Sequence, residues 1–220
     1  MKKILMLMIA TFTFSSTNSY FSLYDLWRPY SPAKIIKEPR ELIIKAVQYC
    51  ENKSNKYALD LGAGAGHDTA FLLKNGWTVW ANDEEKESID FIISREDIKP
   101  YKNHLTLLQS SFLDLTWTTF PHFNLIYASF SLPFVGPKNF YNTWNKIVEN
   151  LQTNGIFAGT FFGSDHDVFN WWINLGMTFL TKQECLNLFK NFNIEFFEEF
   201  HEKNDDNIME HVFKVIARKK

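Results

Sequence analysis

Short apolar runs alternate along the chain with segments in which apolar residues recur every three or four positions. The short runs predict strands at 57–61, 77–81, 105–108, 123–128 and 155–162. The segments of helical spacing predict helices at 40–50, 67–74, 84–94 and 140–151. Such alternation of strand and helix is typical of an α/β fold with a doubly wound, mostly parallel, Rossmann-like sheet.

The C-terminal part follows a different pattern. A predicted helix at 182–191 leads to two consecutive strands, 194–200 and 211–217, which are joined by the polar turn 202–207. This order predicts a C-terminal antiparallel hairpin. Because no internal repeat and no interdomain linker interrupts the pattern, residues 20–220 are predicted to form a single domain.

The N-terminus has the layout of a secretory signal. Lys2 and Lys3 precede an apolar run, residues 4–14, and small polar residues follow at 15–19. The run is shorter than the roughly 20 residues that span a bilayer. The sequence therefore predicts a signal peptide at 1–19 and export to the periplasm or the medium, and the alternative is an N-terminal helix packed on a cytoplasmic protein.

Composition narrows the function classes. With 220 residues, 45% of them hydrophobic and 22% charged, the chain can bury a core. Its formal charge of −2 offers no basic surface for a phosphate backbone, so nucleic acid is not an expected partner. Cys50 and Cys185 are too far apart in sequence for a redox or zinc motif, and no metal site is predicted. A disulfide between them stays open if the chain is exported.

A glycine-rich segment carries the clearest chemistry. Residues 60–66 read Asp-Leu-Gly-Ala-Gly-Ala-Gly and connect a predicted strand to a helix, where glycines allow a ligand to approach the backbone. A nicotinamide or flavin fingerprint would need glycine at position 67, which is His67. Asp83 ends the next strand and can accept hydrogen bonds from ribose hydroxyls. Its alternative role is to cap the helix that follows.

These features resemble those of the class I S-adenosylmethionine-dependent methyltransferases. The resemblance rests on segment 59–66, on Asp83 and on the final hairpin, and it covers nearly everything from residue 28 onward. Segments 127–134 and 211–218 resemble more narrowly the small bacterial tellurite-resistance or thiopurine-type branch. The residues that the resemblance assigns to S-adenosyl-L-methionine are Asp60, Gly62, Ala63, Gly64, Gly66, Asp68, Asp83, Glu84, Ser111, Phe112 and Ser129.

Within that set, the resemblance implies that the turn at 62–64 approaches the methionine and ribose, and that Glu84 borders the adenosine. Segment 109–112 would hold the adenine, although an acid is common in the family where this chain has Ser110 and Ser111. Asp68 would either meet the methionine ammonium or simply suit the helix dipole.

The methyl acceptor is expected at the loop after the fourth strand, because ligands of such sheets lie beyond the carboxyl ends of the strands. The residues predicted to border it are Ser131, Leu132, Pro133 and Phe134, with Asp165 and Asp167 as the alternative wall. His67, His166 and His211 are the candidate general bases. Methyl transfer to a small molecule is the predicted function. The alternatives are an NAD- or FAD-dependent oxidoreductase and a non-catalytic relic that only binds the cofactor.

Overall fold

The computed structural model describes residues 38–50, 56–167, 176–203, 207 and 209–220. The predicted signal peptide at 1–19 lies outside these residues. The α-helices of the described part are α1 (Glu41–Gln48), α2 (His67–Lys74), α3 (Lys86–Ser94), α4 (Pro137–Asn150) and α5 (Lys182–Leu188). Its strands are β1 (Tyr57–Leu61), β2 (Thr78–Asp83), β3 (Leu105–Gln109), β4 (Phe123–Ala128), β5 (Leu151–Gly163), β6 (Phe179–Leu180), β7 (Phe192–Lys203) and β8 (Met209–Lys219).

All eight strands belong to one sheet, in the order β3-β2-β1-β4-β5-β8-β7, with β6 paired to the end of β5. The first five strands are parallel, and β8 is antiparallel to both β5 and β7. This confirms the predicted doubly wound sheet with its C-terminal hairpin. The strand order reverses between β1 and β4, which is where ligands of such sheets bind.

Alternate strand residues divide the core into two layers, as the period of a strand requires. In β1, Leu59 packs on one face and Ala58 on the other. Cys185 belongs to the layer of Leu59 and Cys50 to the layer of Ala58, and both are buried. The sheet therefore lies between the two cysteines, and they do not form a disulfide. Burial also raises the pKa of Cys185 to about 12.

Several element boundaries differ from the prediction. Strand β5 begins at Leu151 rather than 155, and the hairpin strands extend beyond their apolar cores because the backbone ladder continues through polar residues. Helix α4 begins at Pro137, whose fixed φ suits the first helical position. Strand β6 was not predicted, since two residues are too few to show a period. No helix in the described ranges is long and apolar enough to cross a membrane.

Candidate cofactor and acceptor site

The glycine segment forms a tight turn between β1 and α2. Gly62 and Gly64 have φ values of +74° and +52°, in the left-handed region that side chains disfavour. The amides of Gly62 and Ala63 both donate to the Asn82 carbonyl, at 2.9 and 2.8 Å, which fixes the turn against β2. A Cβ on Gly64 would meet nothing within 4 Å, so this side of the turn faces free space. Gly66 instead lies against Ile92 of α3.

Asp83 lies beside this turn, as the sequence predicted from its position at the end of β2. Its Oδ2 accepts a hydrogen bond from the Gly64 amide at 2.7 Å, and its Oδ1 accepts one from the Glu85 amide at 3.0 Å. Burial raises the pKa of Asp83, and these two hydrogen bonds oppose the rise. The carboxylate thus accepts hydrogen bonds from the glycine turn and from the residue before α3, and it retains lone pairs for a ligand. Glu84 follows it and is exposed.

Two further carboxyl groups lie under the turn. Asp60 is 2% exposed and accepts a hydrogen bond from the Thr69 hydroxyl at 2.5 Å. Burial, followed by the nearby charge of Asp68, raises its pKa to about 7. Asp68 is equally buried, and Arg40 binds both of its oxygens, through its backbone amide at 2.9 Å and through a guanidinium ion pair. Two buried carboxyl groups and one guanidinium therefore accompany the turn.

No feature of the sequence indicated the role of Arg40. It is the residue that precedes α1, 28 positions before Asp68, and only the packing of α1 on the sheet brings the two together. A basic residue directly before a helix offers no signal for this, because a cation there is unfavourable to the helix dipole.

Buried hydroxyls line the end of β4. The Tyr127 and Ser129 hydroxyls have no hydrogen-bond partner of normal geometry. Burial and the charge of Asp68 raise the pKa of Tyr127 well above its ordinary value. Ser129, Phe130 and Thr160 border a cavity of about 120 Å³ that also touches Arg40. This cavity lies at the carboxyl ends of β4 and β5.

The residues predicted to form the acceptor pocket follow Phe130 in the chain and are not among those that line this cavity. Ser131 is 6% exposed, and its hydroxyl donates to the Leu61 carbonyl at 2.7 Å. Leu132 and Pro133 are also buried, and the half-buried Phe134 ring packs on Phe162 at a centroid distance of 6.4 Å. Ser131 therefore contacts the glycine turn directly.

The segment predicted to hold adenine follows β3. The Asn82 side-chain amide donates to the carbonyls of Leu108 and Ser110, at 3.1 and 2.7 Å, which holds the segment beside β2. The Ser111 hydroxyl donates to Asp114 at 2.6 Å, and Phe112 is half-buried. Asp114 thus supplies an acid three residues after the position where the family commonly has one.

The three candidate bases lie in different surroundings. His67 Nδ1 is 3.0 Å from the Arg95 guanidinium, at the start of α2. His166 is 3% exposed, and burial lowers its pKa to about 4, so its ring is neutral near pH 7. His211 is bound by Glu199 and by the Asp165 amide, at 3.2 and 3.1 Å.

The strand order, the glycine turn and the carboxylate at the end of β2 define the fold of the class I S-adenosylmethionine-dependent methyltransferases. Residues 38–208 match the sequence profile of a family described as tellurite resistance protein TehB, and the chain belongs to that family. No curated protein sequence matches the chain.

Solved structures share the fold. TehB from Haemophilus influenzae superimposes with a TM-score of 0.65 at 15% identity, over 89% of this chain and 66% of that chain, so this chain spans just under two thirds of it. The N-methyltransferase NodS from Bradyrhizobium japonicum, solved with S-adenosylhomocysteine, superimposes with a TM-score of 0.62 at 15% identity, over 86% of this chain and 92% of that chain. The 1,6-didemethyltoxoflavin-N1-methyltransferase from Burkholderia thailandensis, also solved with S-adenosylhomocysteine, superimposes with a TM-score of 0.59 at 18% identity, over 82% of this chain and 79% of that chain.

Proposed function

We propose that this chain transfers the methyl group of S-adenosyl-L-methionine to a small molecule. The observation that carries the proposal is the free space at Gly64 beside the Asp83 carboxylate, at the switch point of the sheet. Family membership supports it, as does the presence of S-adenosylhomocysteine in two structures of the same fold. When bound, the cofactor would supply an electrophilic methyl group on a sulfonium.

The residues present fit this cofactor. Asp83 retains lone pairs for the ribose hydroxyls, and the turn at Gly64 leaves room for the ligand. Asp60 and Asp68 offer two buried carboxyl groups with Arg40 as their cation, so a methionine ammonium would find complementary charge there. The buried Ser129 hydroxyl lies at the end of β4 and can bind the same polar moiety. Glu84 and segment 110–112 would border the adenine.

The cavity beside Ser129 sets the expected class of acceptor. Its volume of about 120 Å³ suits a molecule of a few heavy atoms, and its wall carries three cations, Arg40, Lys45 and Lys214, and two carboxylates, Glu41 and Glu198. The acceptor we propose is a small soft anion, such as a metalloid oxyanion or a thiolate, as the family name suggests. The protein would act mainly by aligning acceptor and donor, and orientation supplies about 7–11 kcal/mol in favourable cases.

Two measurements test this function with the full chain. Calorimetry should show one S-adenosylhomocysteine bound per chain, while NAD and FAD cause no thermal shift. A screen of tellurite, selenite, thiols and small amines should then reveal an acceptor that releases S-adenosylhomocysteine. Binding of NAD or FAD instead would support an oxidoreductase, and cofactor binding without turnover on any acceptor would favour a binding-only relic.

We also propose that the chain is exported after removal of residues 1–19. The proposal rests on Lys2, Lys3 and the apolar run that follows. Mass spectrometry of the native N-terminus tests it, since a mature chain beginning near residue 20 in an exported fraction is expected. Met1 retained on a cytoplasmic species would show that the segment is not cleaved and would favour the packed helix.

A further inference from the structure

A cluster of side chains that can ligate a metal ion lies where β5 ends beside the C-terminal hairpin. Asp165, His201 and His211 place one ligand atom each within 4.8 Å of the other two. Asp165 Oδ2 lies 3.8 Å from His201 Nε2 and 3.9 Å from His211 Nδ1. We propose that these three side chains bind a divalent transition metal ion of the Zn²⁺ class.

The hairpin places the two histidines. His201 and His211 are directly opposite each other in the β7–β8 ladder, and their ring centroids are 4.5 Å apart. The His211 side chain is 4% exposed, and its ring lies over Gly163, where an added Cβ would be 2.2 Å away. The absence of a side chain at Gly163 is therefore what admits this ring at the end of β5.

A second carboxylate orients the His211 ring. Its Nε2 is 3.2 Å from Glu199 Oε1, and the Lys182 ammonium holds the other Glu199 oxygen at 2.6 Å. With Nε2 donating to Glu199, the lone pair belongs to Nδ1, which is the nitrogen that faces Asp165. Metal-binding histidines almost always donate their second ring N–H to such a partner.

Asp165 is held near the histidines by its own turn. The Met209 amide donates to Asp167 at 2.6 Å, and the Asp167 amide donates to the Met209 carbonyl at 3.1 Å, which ties this turn to the start of β8. The Asp165 amide at present donates to His211 Nδ1 at 3.1 Å, so an ion would replace that hydrogen bond. The Asp165 and His201 side chains are 62% and 42% exposed and can move to close the site.

The ligand set selects the ion. Ligand atoms of a tetrahedral zinc site are about 3.3 Å apart. The two edges to Asp165 must therefore shorten by about 0.5 Å, and the edge between the two histidine nitrogens, which lies within 4.8 Å, must shorten by up to about 1.5 Å. Two imidazoles with one carboxylate favour zinc, cobalt or nickel over magnesium and calcium, which prefer oxygen. Three protein ligands leave a fourth position for water or an anion. The sequence predicted no metal site because the three residues are separated by up to 46 positions and meet only through the hairpin register.

The test uses the untagged full chain after treatment with a chelator. Titration with Zn²⁺ should show one bound ion per chain, and Co²⁺ should give the visible absorption of a four-coordinate site, whereas Mg²⁺ should not compete. His201→Ala and Asp165→Asn change exposed side chains and should each weaken Zn²⁺ binding at least tenfold. Glu199→Gln should weaken it by about 10–100-fold, as loss of an orienting partner does elsewhere.

His104→Ala is the matched control, because His104 is exposed and lies at the other end of the sheet beside Thr78. It should leave the affinity unchanged. Failure to bind Zn²⁺, equal binding of Mg²⁺, or an affinity unaffected by both His201→Ala and Asp165→Asn would overturn the proposal. These outcomes are independent of cofactor binding, so they leave the proposed methyltransferase function untouched.

Discussion

Ser131 packs directly against Gly62. A Cβ placed on Gly62 would stand 2.4 Å from the Ser131 Cβ, and the Ser131 hydroxyl also donates to the neighbouring Leu61 carbonyl at 2.7 Å. The loop after β4, on the acceptor side, therefore closes on the turn after β1, on the cofactor side. A larger side chain at either position must displace both walls of the site.

Gly62→Ala should destabilise the protein by about 2–5 kcal/mol. The new methyl group would collide with Ser131, and overpacking of this kind costs about 1–3 kcal/mol. In addition, alanine at a φ of +74° carries a backbone cost of about 1–2 kcal/mol. Urea unfolding of the variant and the parent chain measures the loss.

Gly64→Ala is the matched control for that collision. Its φ is also positive, but its Cβ would meet nothing within 4 Å, so only the backbone cost of about 1–2 kcal/mol should apply. Adding Ser131→Gly to Gly62→Ala should recover part of the loss. Equal destabilisation by the two alanines, with no recovery in the double variant, would show that the contact with Ser131 is not the cause.

Asp83→Ala should weaken S-adenosylhomocysteine binding by about 1.5–3 kcal/mol, the usual loss for hydrogen bonds to a charged group. The variant removes the acceptor for the ribose and also the partner of the Gly64 amide. Glu87→Gln is the control, because it removes an exposed carboxylate of α3 that is not among the residues assigned to the cofactor. Calorimetry that gives the parent affinity for a folded Asp83→Ala chain would exclude the ribose role.

The glycine turn and Asp83 could be predicted because their signals are local. A strand, a run of closely spaced glycines and a helix follow one another within a few residues, and parallel pairing then brings the end of β2 to the end of β1. The same logic gave the sheet and the hairpin. It required no knowledge of which side chains meet across the layers.

The remainder of the site depends on packing between distant elements. Arg40 reaches Asp68 only through the way α1 lies on the sheet. Ser131 follows Phe130, whose φ is +55°, and its side chain faces the glycine turn. A pattern of apolar residues does not predict such a backbone conformation. Sequence reasoning therefore placed Ser131 in the loop after β4 but could not give the direction of its side chain.

Arg40→Ala should destabilise the protein by about 1–3 kcal/mol. It leaves the buried Asp68 carboxylate without the guanidinium, and a buried polar group that loses its partner costs about that much. The Arg40 side chain is 43% exposed, so water can replace part of the interaction.

The double variant Arg40→Ala with Asp68→Asn tests this explanation, because the neutral amide needs no counter-charge. It should recover most of the lost free energy of unfolding in a thermodynamic cycle. If the double variant is no more stable than Arg40→Ala alone, the arginine contributes by packing rather than by its charge.

Asp60 should make the stability of the protein depend on pH. Its pKa is raised from 3.8 to about 7 in the folded state, first by burial and then by Asp68. Between these values the folded chain holds a proton that the unfolded chain releases, so the free energy of unfolding should fall as the pH rises from about 4 to about 7. Asp60→Asn should flatten this dependence, since the amide does not titrate and its oxygen can still accept from the Thr69 hydroxyl. Asp90→Asn, an exposed carboxylate on α3, is the control and should retain the parent slope. Urea unfolding at pH 5 and pH 8 measures the difference, and an unchanged slope in Asp60→Asn would assign the dependence to other groups.

The raised pKa of Asp60 should also affect cofactor binding. A cation bound beside Asp60 would lower this pKa, so the binding of S-adenosyl-L-methionine near pH 6 should release a proton. The release is detectable because the binding enthalpy would then depend on the buffer.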